Sequence, residues 1–191
     1  MRSCTLDTNC LIAIDEARPE AAAVRLLADA DEAGKARAAV VAISASEKQQ
    51  GGGHIQNIAE FHARMAELGL GHLDALKPMG YWDVTLYDWS LSVDDPAMEE
   101  LEQKIHAALF PDVAFSWADY CRANGLDPAS TPTGKWRNCK CDVQAIWAHI
   151  YGQRDVFVTS DRNFHVATKK ATLIGLGARY IEYPNDAVSL L

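Results

Sequence analysis

Along the chain, short apolar runs alternate with stretches whose apolar residues recur at helical spacing. Residues 38–43 are a continuous apolar run, which predicts a strand buried on both faces of a parallel sheet; residues 2–6 read as a short buried strand, 156–158 as another, and 179–182 as the last. Helices are predicted between them. A short one covers residues 10–14, with Asp7 or Asn9 able to cap it. Residues 20–31 carry Ala23, Leu26, Leu27 and Ala30 on one face, with Pro19 ahead and Gly34 behind. Ser44 to Glu47 opens a brief helix before the glycine run at 51–53. Ile58, Phe61, Met65 and Leu68 then mark an amphipathic helix. Further on, Val143, Ile146, Trp147, Ile150 and Tyr151 follow the same rule from Asp142 until Gly152, and a helix reaching about residue 175 precedes the last strand.

Strand–helix–strand units in this order imply an α/β fold, a doubly wound and mainly parallel sheet flanked by helices. At 191 residues, 49% of them hydrophobic and 23% charged, the chain suits one domain over residues 1–191. The least legible part is residues 71–137, read as a helical insertion. It holds an aromatic patch (Tyr81, Trp82, Tyr87, Trp89), helices at 96–109 and 116–123, and a Pro/Thr/Gly-rich loop at 127–135. Neither a signal peptide nor a membrane-spanning run is present, so a soluble cytoplasmic protein is expected. Five cysteines without framework spacing read as free thiols. Cys139-Lys140-Cys141 lacks the spacer and the second pair that zinc requires.

A net charge of −8 argues against broad nucleic-acid binding, but it suits an enzyme that gathers carboxylates around cations. Open parallel sheets bind ligands beyond the C-terminal ends of their strands. Asp7, Glu47 and Asp161 follow the three predicted inner strands, and Asp142, at the start of its predicted helix, can point to the same edge. Converging carboxylates raise one another's pKa unless cations sit among them, and hard oxygen ligands suit Mg²⁺ or Mn²⁺.

The strand ending L-D-T-N, the junction A-I-S-A-S-E and the distal C-D-V-Q-A-I-W-A-H…D-V-F-V-T-S-D-R-N-F together resemble the motifs of PIN-like ribonucleases. The match covers roughly residues 1–68 and 139–182, and the long middle segment departs from a minimal PIN domain. The resemblance implies a three-layer sandwich. It makes Asp7, Glu47, Asp142 and Asp161 metal-binding catalytic residues that cut RNA with a metal-activated water. Asn9 would orient Asp7, Thr159 would support the site, and Asn163 would be a donor near Asp161 or a turn residue. Toxin-type relatives imply a protein inhibitor (an antitoxin) and a homodimer as partners, with no membrane.

Each residue has a plainer reading. Asp7 and Asp161 can be helix N-caps, and Asp142 can complement a helix dipole. Ser44 with Glu47 forms a capping-box pattern, which leaves Glu60 as the alternative second ligand. Lys135, Arg137 and Lys140 are a basic cluster that can steer RNA phosphates or simply face solvent. The aromatic patch can stack bases or belong to the core, and His149 reads as structural. Two rival functions stand beside the ribonuclease. One is a non-catalytic PIN-like protein-binding module. The other is a phosphatase of the haloacid dehalogenase type, which wants an Asp where Asn9 stands.

Overall fold

The structure, a computed structural model, describes residues 1–43, 55–132 and 134–191. Five strands form one sheet: β1 (Ser3–Leu6), β2 (Arg37–Val41), β3 (Asp74–Leu76), β4 (Val156–Val158) and β5 (Tyr180–Glu182). All pairings are parallel, in the order β3-β2-β1-β4-β5, so β1 lies at the centre. The helices are α1 (Thr8–Asp15), α2 (Ala21–Glu32), α3 (Ile58–Glu67), α4 (Pro96–Leu109), α5 (Trp117–Asn124), α6 (Gly134–Tyr151), α7 (Arg162–His165), α8 (Ala167–Leu173) and α9 (Pro184–Val188). None among the described residues is long and apolar enough to cross a membrane. The brief helix predicted from Ser44 to Glu47 and the glycine run lie outside the described residues.

The pleat divides the sheet's side chains between two cores. Cys4, Leu6, Ala38, Val40, Val156 and Val158 join Val24, Leu27, Phe61 and Met65 on one face. Val41, Phe157 and Ile181 join Ile105, Leu109, Trp147 and Leu173 on the other. Burying a ring such as Phe157 or Phe61 contributes about 1.5–3 kcal/mol. Helices therefore cover both faces, the expected α/β arrangement.

At the centre of the second core His149 meets Thr5 Oγ1 at 2.9 Å and the Ala178 carbonyl at 3.0 Å. A carbonyl only accepts, so Nε2 carries the proton and Nδ1 accepts from the Thr5 hydroxyl. The sequence reading of His149 as structural agrees with this burial. At the N-terminal edge Arg154 Nη2 donates to Cys4 O at 2.8 Å and to Arg37 O at 2.5 Å, tying β1 to β2 where α6 has just ended. α6 therefore begins at the opposite, C-terminal edge.

Three expectations are corrected. The helix expected from Asp142 begins at Gly134, so Asp142 sits near its middle, roughly 12 Å along the axis from its first turn. The single helix expected after Asp161 breaks at Val166, whose backbone is extended, and ends in a π-helical turn. β3 and α9 were not expected at all.

The middle segment packs into the second core rather than standing apart. Asp95 caps α4 by accepting from the Ala97 N–H at 2.9 Å, and Met98, Ile105 and Leu109 face α6. A buried polar cluster pins the two helices together. Glu102 Oε1 accepts from Lys140 Nζ at 2.8 Å and from Gln144 Nε2 at 2.9 Å, while Oε2 accepts from the Tyr81 hydroxyl at 2.6 Å. The Lys140 ammonium lies 4.0 Å from the centre of the Phe115 ring and 4.5 Å from that of Tyr81. Burial holds the Lys140 pKa below its ordinary value, with Glu102 opposing the shift.

Candidate active site

β1 ends at Leu6, and Asp7 follows at the edge where a doubly wound sheet takes ligands. Its backbone N–H donates to Val158 O at 3.0 Å, which sets it beside the end of β4. The carboxylate is 3% exposed and accepts three hydrogen bonds. Oδ1 caps α1 through the Thr8 N–H at 2.8 Å, and Oδ2 accepts from Asn9 Nδ2 and from the Thr159 hydroxyl, both at 2.7 Å. Asn9 also donates to Thr159 Oγ1 at 2.8 Å and accepts from the Ser160 N–H at 2.9 Å. Asn9 and Thr159 thus hold Asp7 as the sequence suggested.

Asp161 stands in the same network. Its N–H donates to Thr159 Oγ1 at 3.1 Å, and its Oδ1 caps α7 by accepting from the Asn163 N–H at 2.8 Å. Among the described residues its Oδ2 carries no hydrogen bond. The capping readings are therefore present in Asp7 and Asp161, but each cap occupies only part of its carboxylate. Asn163 turns its side chain elsewhere: Oδ1 accepts from Lys169 Nζ at 2.6 Å, and among the described residues the buried Nδ2 has no partner. Its link to Asp161 is through the backbone.

Asp7 and Asp161 are joined through Thr159, whose hydroxyl donates to the one and accepts from the N–H of the other. Asp142 is half-buried on α6; burial, with the Asp142 charge adding to it, pushes the neighbouring Cys139 thiol up to about 11 against Lys135 and Lys169. Glu47 lies outside the described residues. Glu60 is exposed and accepts from the Gln56 N–H at 2.9 Å beside the Asn57 cap of α3, a capping role. Lys140 cannot meet RNA, because it is 1% exposed and paired with Glu102. The basic cluster reduces to Lys135 and Arg137. Among the described residues no group of three or more His, Cys, Asp and Glu side chains is placed to hold a metal ion.

No family model, curated protein or solved structure matches the chain.

A cleft of about 1250 Å³ opens at the same edge, beyond β3, with a lining that includes neither Asp7 nor Asp161. Trp82, Tyr87, Thr131 and Arg137 are among its walls. The aromatic patch was legible in the sequence. Which of its rings face water was not.

Burial pushes the Asp7 carboxyl up to about 6, with the Asp161 charge adding to the shift and the Thr159, Thr8 and Asn9 hydrogen bonds opposing it. Desolvation therefore outweighs the mutual repulsion expected from the sequence. Burial also lowers His149 to about 4. The two act oppositely on stability. Folded Asp7 holds its proton up to about pH 6 whereas the unfolded group releases it near 3.8, so its contribution is present below 3.8 and lost as pH rises through 6. Folded His149 refuses a proton down to about pH 4 whereas the unfolded group takes one near 6.5, so its contribution is present above 6.5 and lost as pH falls through 4. Between pH 4 and 6 these slopes largely cancel. In EDTA, the urea-unfolding free energy of Asp7→Asn relative to wild type should therefore rise by about 2 kcal/mol from pH 4 to 7. His149→Gln should show a difference of opposite slope. Curves parallel to wild type for both variants would contradict the assignment.

Proposed function

We propose that the chain is a metal-dependent ribonuclease of PIN-like design, with Asp7 and Asp161 as the described pair of ligands for Mg²⁺ or Mn²⁺. One observation carries the reading. Asp7 is buried at the ligand-binding edge, and Asn9 and Thr159, themselves bonded to each other, orient its carboxylate. A buried carboxylate is costly unless a cation meets it.

The oxygen set fits such an ion. A carboxylate offers about four lone-pair positions. Asp7 has three filled, and Asp161 keeps Oδ2 open. Mg²⁺ retains several waters and takes only one or two protein carboxylates, so two described ligands suffice. When bound, the ion supplies Lewis acidity toward a phosphodiester and a water of lowered pKa. The chain's own residues orient that chemistry. Thr159 and Asn9 fix Asp7, and the α7 cap fixes Asp161. Asp142 and Glu47 join the proposal on sequence grounds alone.

Mn²⁺ at a hundredfold excess over its Kd should raise Tm by about 5–10 °C, since a ligand held only by the native state contributes about 2.7 kcal/mol at that excess. EDTA should abolish cleavage of a single-stranded RNA. Undiminished cleavage in EDTA would overturn the metal mechanism.

A further inference from the structure

Of the four aromatic residues in the middle patch, two are structural. Tyr81 donates its hydroxyl to buried Glu102, and Trp89 Nε1 donates to Ala75 O at 3.1 Å. The other two do neither. Trp82 is 83% and Tyr87 85% exposed, and among the described residues their polar atoms make no hydrogen bond. Their rings nonetheless lie close to parallel, 26° apart with centroids 6.0 Å apart, at the cleft described above. Asp83 adopts the left-handed conformation, φ 58°, in the turn directly after Trp82. Arg137 Nε donates to the Asp83 carbonyl at 3.2 Å, which holds its guanidinium beside the pair.

We propose that this cleft is a single-stranded RNA subsite, in which bases stack on Trp82 and Tyr87 while Arg137 meets the backbone. Base–aromatic stacking with a cationic rim is how unpaired strands are held without base-edge readout. A proline-rich peptide also docks on exposed aromatics, but it brings no phosphate for the guanidinium. The choice of RNA rests on the ribonuclease reading above; the stacking geometry does not. The position also suits RNA. The cleft follows β3, Asp7 follows β1, and two strand spacings (roughly 10 Å) separate those strands along one edge of the sheet. One strand of several nucleotides spans that interval, so bases held here extend from a phosphodiester at the carboxylates.

The experiment is fluorescence anisotropy of a labelled twelve-nucleotide single-stranded RNA, titrated with the full chain in EDTA at low salt. Binding is thereby measured apart from cleavage, so failure of the nuclease reading leaves this result standing. The Trp82→Ala/Tyr87→Ala variant should bind at least about tenfold more weakly, with Tm unchanged because neither ring is in the core. Trp82→Phe should keep most of the affinity. Arg137→Gln should flatten the dependence of log K on log salt by about 0.7. The same RNA annealed to its complement should bind poorly, because its bases are already stacked. Undiminished affinity in the double alanine variant, equal binding of the duplex, or no RNA binding by the wild type would each overturn the proposal. So would a proline-rich peptide quenching Trp82 where RNA does not.

Discussion

Asp7→Asn is expected to cut metal-dependent RNA cleavage by about a hundredfold or more while leaving the protein folded and, at pH 7.5, more stable than wild type. The loss follows from removing the charge that an ion needs. The gain follows from burial. Holding Asp7 ionised with its pKa near 6 rather than 3.8 costs about 3 kcal/mol at pH 7.5, and the neutral amide avoids that cost. Asn turns the acceptor Oδ2 into a donor against both Asn9 Nδ2 and the Thr159 hydroxyl, a loss of about 2 kcal/mol, although Asn9 and Thr159 keep their bond to each other. The net gain is about 1 kcal/mol. Asn is as good an N-cap as Asp, so Asp161→Asn should change stability by only a few tenths of a kcal/mol and lose activity as well. Urea unfolding in EDTA and a cleavage assay in Mn²⁺ decide the matter together. Two unfolded variants would mean that the carboxylates serve only as caps, and two active ones would remove them from the chemistry.

The second large effect concerns Glu102 and Lys140. Glu102→Leu strands an ammonium that is 1% exposed and removes the acceptor of Tyr81 and Gln144. A loss of about 3–5 kcal/mol is expected, or roughly 10 °C in Tm for a chain of this size. Lys140→Met should cost less, because Glu102 retains two donors. The double variant Glu102→Leu/Lys140→Met should recover much of the loss, since two apolar side chains leave no charge to desolvate. Additive losses in the double variant would show that the ion pair is not the unit that matters. RNA affinity should be untouched by Lys140→Met, because the ammonium never reaches the surface.

That contrast also shows where the sequence was readable. Asp7 and Asp161 could be found because β1 and β4 read as short strands and the polar residues directly after them lie at the ligand-binding edge, whereas Asn9 and Thr159 were legible only through the resemblance. Lys140 was misread for a physical reason. A lysine beside Lys135 and Arg137 looks solvated, and only a carboxylate thirty-eight positions earlier makes its burial tolerable. The same mistake hid the first turns of α6, whose polar spelling conceals the buried Trp136, Cys139 and Lys140. β3 left no period to detect, being three residues long and never fully buried. α4 was legible to the residue because its start combines an Asp cap with a first-turn proline and its end is an apolar ridge.

The Glu102 cluster bears on how the molecule breathes. A segment inserted between two halves of a fold is ordinarily where local opening begins, its amides exchanging with solvent well before those of the sheet. Here α4 cannot lift away without exposing a carboxylate and an ammonium to each other's absence, and without drawing Gln144 off the Met79 amide that it also holds at 3.0 Å. Parting a buried ion pair costs about 3–5 kcal/mol. Hydrogen exchange should therefore find the α4 and α6 amides around Glu102, Lys140 and Gln144 better protected than those of the exposed loops in the same segment.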